Sequence, residues 1–263
     1  MTINTEHGPL PPNPWRIQLL GVVDSTNRYI IDQLSLGVQE PFAVAADLQT
    51  DGRGRRDRVW SAPSGSSMLI SVLLRPELEP ADLFLITMIA GLSLRSAVRQ
   101  TYELGVDIKW PNDLELDGKK LSGVLAQTQL DSYGRRVVIV GAGLNVQWSA
   151  DDLEQLGRPA TSIATCLGRS VGDIDPLIRN YLGDLWAWYC RCATEEGRRS
   201  ALQEYRESCS TLGRRVEVHY LSELRRGLAQ DVNERGELIV NIDGEAVPVN
   251  AADIVHLRPE TSD

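Results

Sequence analysis

The feature that most constrains this chain is a change of period at Cys209. Before it, apolar strand-like runs are separated by helical patterns, one of them about 20 residues long. After it, five short runs follow in quick succession: RRVEVHYL, RRGLAQDVNE, GELIVNID, AVPVN and DIVHL. Gly236 and Asp243-Gly244 supply turns between them. Such a switch predicts a large mixed unit over 1–208 and a small all-β unit over 209–263, read as an SH3-like barrel. The length agrees, since 263 residues divided by ~150 per domain gives roughly 1.8.

Within the first unit, residues 17–23 read as a strand. Asp24-Ser25-Thr26-Asn27, a cluster of N-cap formers, then opens a helix carrying Tyr29, Ile30 and Leu34. Strands are expected at 42–49, 67–75, 106–110 and 135–147. Pro80 and Asp82 open the long apolar helix LFLITMIAGLSLRSAVRQTY, and Asp117-Gly118 turns a hairpin. Short helices near 151–156 and 161–167 precede one long helix from about Pro176 to Ser208.

Charge narrows the function. Lys and Arg total 27 against 36 Asp and Glu, a net charge of −9. An acidic chain is a poor binder of nucleic acid or anionic membranes unless its cations are gathered locally. Here they are. Residues 52–58 read Gly-Arg-Gly-Arg-Arg-Asp-Arg, followed by Trp60. Arginine forks bind carboxylate and phosphate oxygens bidentately, and glycines let backbone approach a ligand. The loop is therefore either an anion site or a solvated basic surface. Only Lys109, Lys119 and Lys120 are lysines, and all lie within twelve residues. Where Arg is the rule, that points to a task for a compact ammonium, or to chance clustering. Asn112 and Asp113 suit a polar ligand or Mg²⁺, or else an Asx turn. On a strand starting at Lys120, Ser122 would share its face, Leu121 would point away and Gly123 would admit a close ligand. Gly141-Ala142-Gly143-Leu144-Asn145 either floors a pocket or marks a bulge.

The ends and the cysteines exclude other classes. The N-terminus has no basic and apolar leader, and no apolar run reaches ~18 residues, so a cytoplasmic protein without a membrane span is expected. Cys166, Cys190, Cys192 and Cys209 form no CxxC pair, and His7, His219 and His256 lie far from the motifs. Neither a zinc site nor a His-based triad is expected.

Taken in order, DSTN (24–27), LQTDGRGRRDRVW (48–60), IKWPND (108–113), GKKLSGVL (118–125) and VIVGAGLN (138–145) resemble the biotin protein ligases. The resemblance implies an α+β fold, a class II synthetase-like mixed sheet with helices followed by a small C-terminal SH3-like barrel. It implies that biotin and ATP, with Mg²⁺, give biotinyl-5′-AMP, and that biotin passes to a lysine of a biotin carboxyl carrier domain. Matched position by position, Ser25, Thr26, Asn27, Gln49, Gly52, Gly54, Gly123 and Ala142 fall on the biotin side. Arg53, Arg55 and Lys120 are the catalytic cations and also contact biotin. Arg55, Arg56, Arg58, Trp60, Asn112, Asp113, Lys120 and Asn145 fall on the ATP side, with Asp113 as a metal ligand. Lipoate ligase-like chemistry and a catalytically weak biotin-binding module are the rival readings.

Three positions depart from the family pattern: Asp57 for Gly, Gln127 for Glu and Ser122 for Ala. Asp57 is expected to stiffen the arginine loop and lower its positive charge. Only 23 residues precede Asp24, too few for a winged helix-turn-helix, so the type that does not bind operator DNA is expected. A sheet edge able to pair leaves a homodimer open.

Overall fold

The computed structural model describes residues 14–38, 41–77, 83–220, 223–251 and, for the backbone alone, 256–259. Pro80 and Asp82, expected to open the long helix, lie outside the described residues, as do His7 and most of the DIVHL run. The chain runs β1 (Arg16–Val23), α1 (Thr26–Ser35), β2 (Phe42–Gln49), β3 (Ser67–Leu74), α2 (Leu83–Tyr102), β4 (Asp107–Lys109), β5 (Asp113–Leu116), β6 (Lys119–Leu130) and β7 (Arg136–Asn145). Helices α3 (Ala150–Gln155), α4 (Ile163–Leu167), α5 (Asp175–Arg191) and α6 (Glu195–Ser208) follow. Strands β8 (Arg215–His219), β9 (Leu224–Val232), β10 (Leu238–Ile242), β11 (Glu245–Val249) and β12 (His256–Pro259) complete the chain.

Seven strands form one mixed sheet in the order β1-β2-β3-β7-β6-β5-β4. Only β1 and β2 pair in parallel; the others are antiparallel. Every residue of β3 is buried because both sheet faces are covered. One face packs against α2, α5 and α6 in the main core. The other carries a smaller cluster, in which Ile30 and Leu34 of α1 meet Phe42, Val44, Leu73, Val137 and Ile139. Ile30 and Leu34 are four residues apart, so one helical stripe supplies this contact. The Asp117-Gly118 turn has both residues at positive φ, as a two-residue type I′ hairpin requires.

The expected single helix over 176–208 is two. Helix α5 ends at Arg191, and Thr194 caps α6 by accepting a hydrogen bond from Gly197 N at 3.1 Å. A Cβ at Gly197 would collide with Arg191 O, so a glycine is needed where the chain doubles back. The apolar period runs through the break and conceals it, although Thr194-Glu195-Glu196 is an ordinary helix-start signal.

The five C-terminal strands form an antiparallel sheet in the order β11-β10-β9-β8-β12. Its apolar residues, among them Val216, Val218, Ala229 and Leu238, belong to the same core cluster as the seven-stranded sheet. Trp110, 2% exposed, is the pin: its Nε1 donates to Gly236 O at 3.0 Å and its backbone N–H to Thr211 Oγ1 at 3.1 Å. Gly236 lies under the Phe84 ring with no room for a side chain. The segment beginning at Cys209 runs alongside β4, with Ser210 N donating to Ile108 O at 2.9 Å, and covers that sheet edge.

Candidate functional site

On the α1 face of the sheet, β6 and β7 extend beyond the helix and their pocket-side residues are glycines. Gly123, Gly141 and Gly143 line a cavity of about 680 Å³. Strand alternation sends Ala142 to the opposite face, where its methyl joins the main core, so Ala142 offers the cavity chiefly backbone. The glycines are spaces already taken by other side chains. A Cβ at Gly141 would meet the Asn27 amide, and one at Gly143 would lie 2.7 Å from Trp60 Nε1.

One wall is a chain of polar side chains built on the β1–α1 turn. Gln49 Oε1 accepts from Thr26 N (2.8 Å) and Thr26 Oγ1 (3.0 Å). Ser71 Oγ lies 2.6 Å from both Thr26 Oγ1 and Asn27 Oδ1. Asn27 Nδ2 donates to Gln127 Oε1 at 2.7 Å. Ser25, 2% exposed, caps the helix with extended backbone and makes no side-chain cap bond. Gln127 thus supplies the acceptor oxygen that a Glu at this position would also supply. Ser71, the centre of this chain, was missed because it stands in an apolar strand with no motif around it.

The arginine loop folds as a hairpin over the cavity. Arg53 bridges to Val59, Gly54 N donates to Arg58 O at 2.6 Å, and Trp60 N donates to Gly52 O at 2.8 Å. Arg56 and Asp57 at its tip have φ of 55° and 57°, the arrangement of a type I′ turn. Asp57 therefore occupies a left-handed position that glycine fills without strain. The Trp60 indole lies across Gly143 and Gly123, with Lys120 Nζ 5.7 Å from its ring centroid. Trp60 Nε1 is buried and finds no hydrogen-bond partner among the described residues.

The opposite end of the cavity gathers charge. Lys120 Nζ donates to Asp113 Oδ1 at 2.7 Å, both side chains about one-quarter exposed. Lys120 backbone is held by Pro159 O (3.1 Å) and by Thr161 N (2.9 Å). Arg55 donates to Asn112 Oδ1 at 3.2 Å and to Ala251 O of the C-terminal unit at 2.7 Å. Burial lowers the Arg55 guanidinium from its ordinary value; nearby Asp113 opposes this, and Arg56 and Arg58 reinforce it. Asn112 also donates from Nδ2 to Val124 O at 2.6 Å, so its amide holds β6 and Arg55 in place.

Ser25, Thr26, Asn27, Gln49, Arg53, Gly54, Arg55, Arg56, Arg58, Trp60, Asn112, Asp113, Lys120, Gly123 and Ala142 all line the one cavity. Gly52 and Asn145 do not. Gly52 sits behind the hairpin, where a Cβ would strike Trp60 O. Asn145 is buried, its Nδ2 donating to Thr161 O at 3.0 Å, and braces the segment that holds Lys120. Ser122 does not share the face of Lys120. A bulge at Leu121 shifts the alternation, so Leu121 and Ser122 are both fully buried, and Gly123 stands beside Lys120. Lys109, Glu115, Ser210 and Arg214 also line the cavity; Lys109 belongs to the IKWPND stretch, whereas the other three carry no motif, and Ser210 and Arg214 come from beyond Cys209.

Residues 19–145 match the model of the biotin/lipoate A/B protein ligase family, and residues 211–257 match that of the biotin protein ligase C-terminal domain. The bifunctional ligase/repressor BirA of Bacillus spizizenii is 33% identical over 151 residues, 57% of this chain; the matched part spans 46%, about half, of that relative. The biotin–[acetyl-CoA-carboxylase] ligase of Mycobacterium tuberculosis is 29% identical over 251 residues, 93% of this chain and 90% of the relative. The biotin protein ligase of Aquifex aeolicus, solved in complex with biotin and ATP, superposes with a TM-score of 0.80 at 24% identity, over 93% of this chain and 99% of that one.

Proposed function

Because the chain belongs to the biotin/lipoate A/B protein ligase family, we propose that it is an ATP-dependent biotin–[biotin carboxyl-carrier protein] ligase. It joins biotin to ATP as biotinyl-5′-AMP, releasing pyrophosphate, and then passes biotin to a lysine of the carrier domain of a biotin-dependent carboxylase. The observation that carries this reading is the Lys120–Asp113 pair, placed with Arg55 in a cavity whose other end is lined by the neutral side chains of Gln49, Thr26 and Asn27, with buried Ser71 bonded behind them. A neutral, bicyclic urea suits the polar wall, and two anions suit the cationic end.

In the first step the biotin carboxylate attacks the α-phosphorus and the bond to the β-phosphate oxygen breaks. Two anions must approach, and charge builds on phosphorus. Cations placed beforehand lower that barrier, and removing one such group typically costs ~10²–10³ in rate. Lys120, Arg53 and Arg55 serve this purpose, and no protein nucleophile is required. In the second step the acceptor amine attacks the acyl carbon and AMP departs. Asp113, the carboxylate paired with Lys120, is the group that receives the amine proton in this reading. The hairpin bearing Trp60, with Arg56 and Arg58 on the nucleotide side, keeps water from the mixed anhydride.

Mg²⁺ enters with ATP. Among the described residues no group of three His, Cys, Asp or Glu side chains stands ready to hold a metal. One carboxylate, Asp113, fits an ion carried mainly by phosphate oxygens. In this reading residues 1–208 form the catalytic unit and 209–263 the C-terminal unit. The partners are biotin, ATP and a carrier domain, with no nucleic acid. Exposed Leu19 and Val22 on β1 mark the edge through which a homodimer would form. Among the described residues no helix is long and apolar enough to cross a membrane, and a cytoplasmic setting is part of the proposal.

The test is transfer of labelled biotin to a carrier domain with ATP and Mg²⁺, run beside labelled lipoate. Biotin-only transfer is expected. Lys120→Ala should abolish single-turnover adenylation while circular dichroism stays unchanged. Lipoate-only transfer, or normal adenylation by the variant, would overturn the reading.

A further inference from the structure

Strand β5 presents two carboxylates to the cavity, two residues apart. Asp113 is the partner of Lys120. Glu115 is 4% exposed and forms a second centre. Ser210 Oγ donates to its Oε1 at 2.7 Å, Arg214 Nη1 stands 3.6 Å from the same oxygen, and Lys109 Nζ stands 3.9 Å from Oε2. Lys109 comes from β4 and Arg214 from the C-terminal unit, so the centre lies where the two units meet at the cavity wall. Among the described residues neither cation makes a side-chain hydrogen bond; both are held by charge alone. Two cations around one carboxylate leave an excess positive charge, and the N–H donors of a lysine and an arginine remain uncommitted. Two strand residues span roughly 6.6 Å. The second centre therefore stands one short polyanion's reach from Lys120.

From this arrangement we infer that Lys109 and Arg214 bind the pyrophosphate end of the nucleotide, with Glu115 as the buried counter-charge that holds them in place. The inference rests on the adenylation reading above. In that step the α-phosphorus–oxygen bond breaks with its electron pair on the pyrophosphate, so negative charge grows at the leaving group while Lys120 serves the α-phosphate. Cations set at both ends stabilise the transferring and the departing oxygens together. The C-terminal unit then completes the substrate site, and Arg214 is one of its contacts.

The experiment is calorimetric titration of the intact protein with inorganic pyrophosphate and with biotin, beside biotin-dependent exchange of labelled pyrophosphate into ATP. Arg214 is half exposed, so Arg214→Gln should fold. Arg214→Gln and Lys109→Gln are each expected to weaken pyrophosphate by about tenfold or more, and biotin by less than about twofold. Arg214→Lys should recover much of the loss, which a packing role would not predict. Unchanged pyrophosphate affinity in both Gln variants, or equal losses for biotin and pyrophosphate, overturns the inference. Wild-type protein that binds pyrophosphate through these residues but gives no biotin-dependent exchange supports the anion site and overturns the ligase reading instead. Wild-type protein that binds neither pyrophosphate nor ATP overturns both.

Discussion

In Gly143→Ala the new methyl would lie 2.7 Å from Cζ2 and from Nε1 of Trp60. Ordinary carbon contact begins near 3.4 Å, so the indole must retreat by well over half an ångström. It has little freedom to do so, because the same ring already touches Gly123 and its backbone N–H is tied to Gly52 O at 2.8 Å. Forcing a methyl into such a seat typically costs about 1–3 kcal/mol. If that cost falls on the closed hairpin alone, its opening becomes roughly 5–150 times more frequent. The hairpin carries Arg53, Arg55, Arg56 and Arg58, all trypsin sites, and cleavage of a transiently opened loop tracks its open population. Limited trypsinolysis should therefore cut Gly143→Ala faster by that factor, with the melting temperature of the whole protein little changed. Gly21→Ala is the control, since nothing lies within 4 Å of a Cβ there. In a Trp60→Ala background the same Gly143→Ala change should cost almost nothing, a coupling of at least about 1 kcal/mol. Equal cleavage rates for wild type and Gly143→Ala, or additivity with Trp60→Ala, would refute the seat.

Three further outcomes are expected. Asp57→Gly should relieve the left-handed turn by about 1 kcal/mol and slow trypsin cleavage of the loop several-fold, readable in the same assay. Arg55→Ala should release more free biotinyl-AMP than Arg53→Ala, measured by filter-bound against free intermediate. Arg55 loses two hydrogen bonds, one to the C-terminal unit, whereas Arg53 loses a half-exposed pair with Asp51 worth at most about 1 kcal/mol. Burial pushes the Cys192 thiol from 9.0 up to about 11. The folded state therefore holds that proton more tightly than the unfolded chain. This contribution is present below about pH 9 and is lost as pH rises toward 11, on the order of 2 kcal/mol. Urea titrations from pH 8 to 11 should show a shallower decline in Cys192→Ala.

Much of the architecture is written locally. The Asp117-Gly118 turn, the alternating strands and the change of period at Cys209 depend on neighbours a few residues apart, so they are readable from the chain. The break at Thr194 was hidden because the apolar stripe continues through it: packing on α2 demands apolar residues from α5 and α6 alike. The face of Ser122 was misjudged for a related reason. One bulge at Leu121 inverts the alternation after it, and a bulge has no obligatory sequence sign.

The sequence by itself determined the chemistry available: an arginine-glycine loop, an isolated lysine segment and a run of small residues, each a property of residue type and spacing. Only the tertiary structure decided which of these act together. It placed Ser71 and Gln127 behind the polar wall, bonded to Thr26 and Asn27, moved Asn145 from the cavity to a supporting position, and gave Lys109 a partner in Glu115. It also brought Ala251, Ser210 and Arg214 to the cavity from beyond Cys209. Arg55 and Ala251 are 196 residues apart, and that contact exists because a buried Trp110 and a side-chain-free Gly236 let the second sheet dock on the first. Such contacts are fixed by packing over long chain separations, to which composition and period are blind.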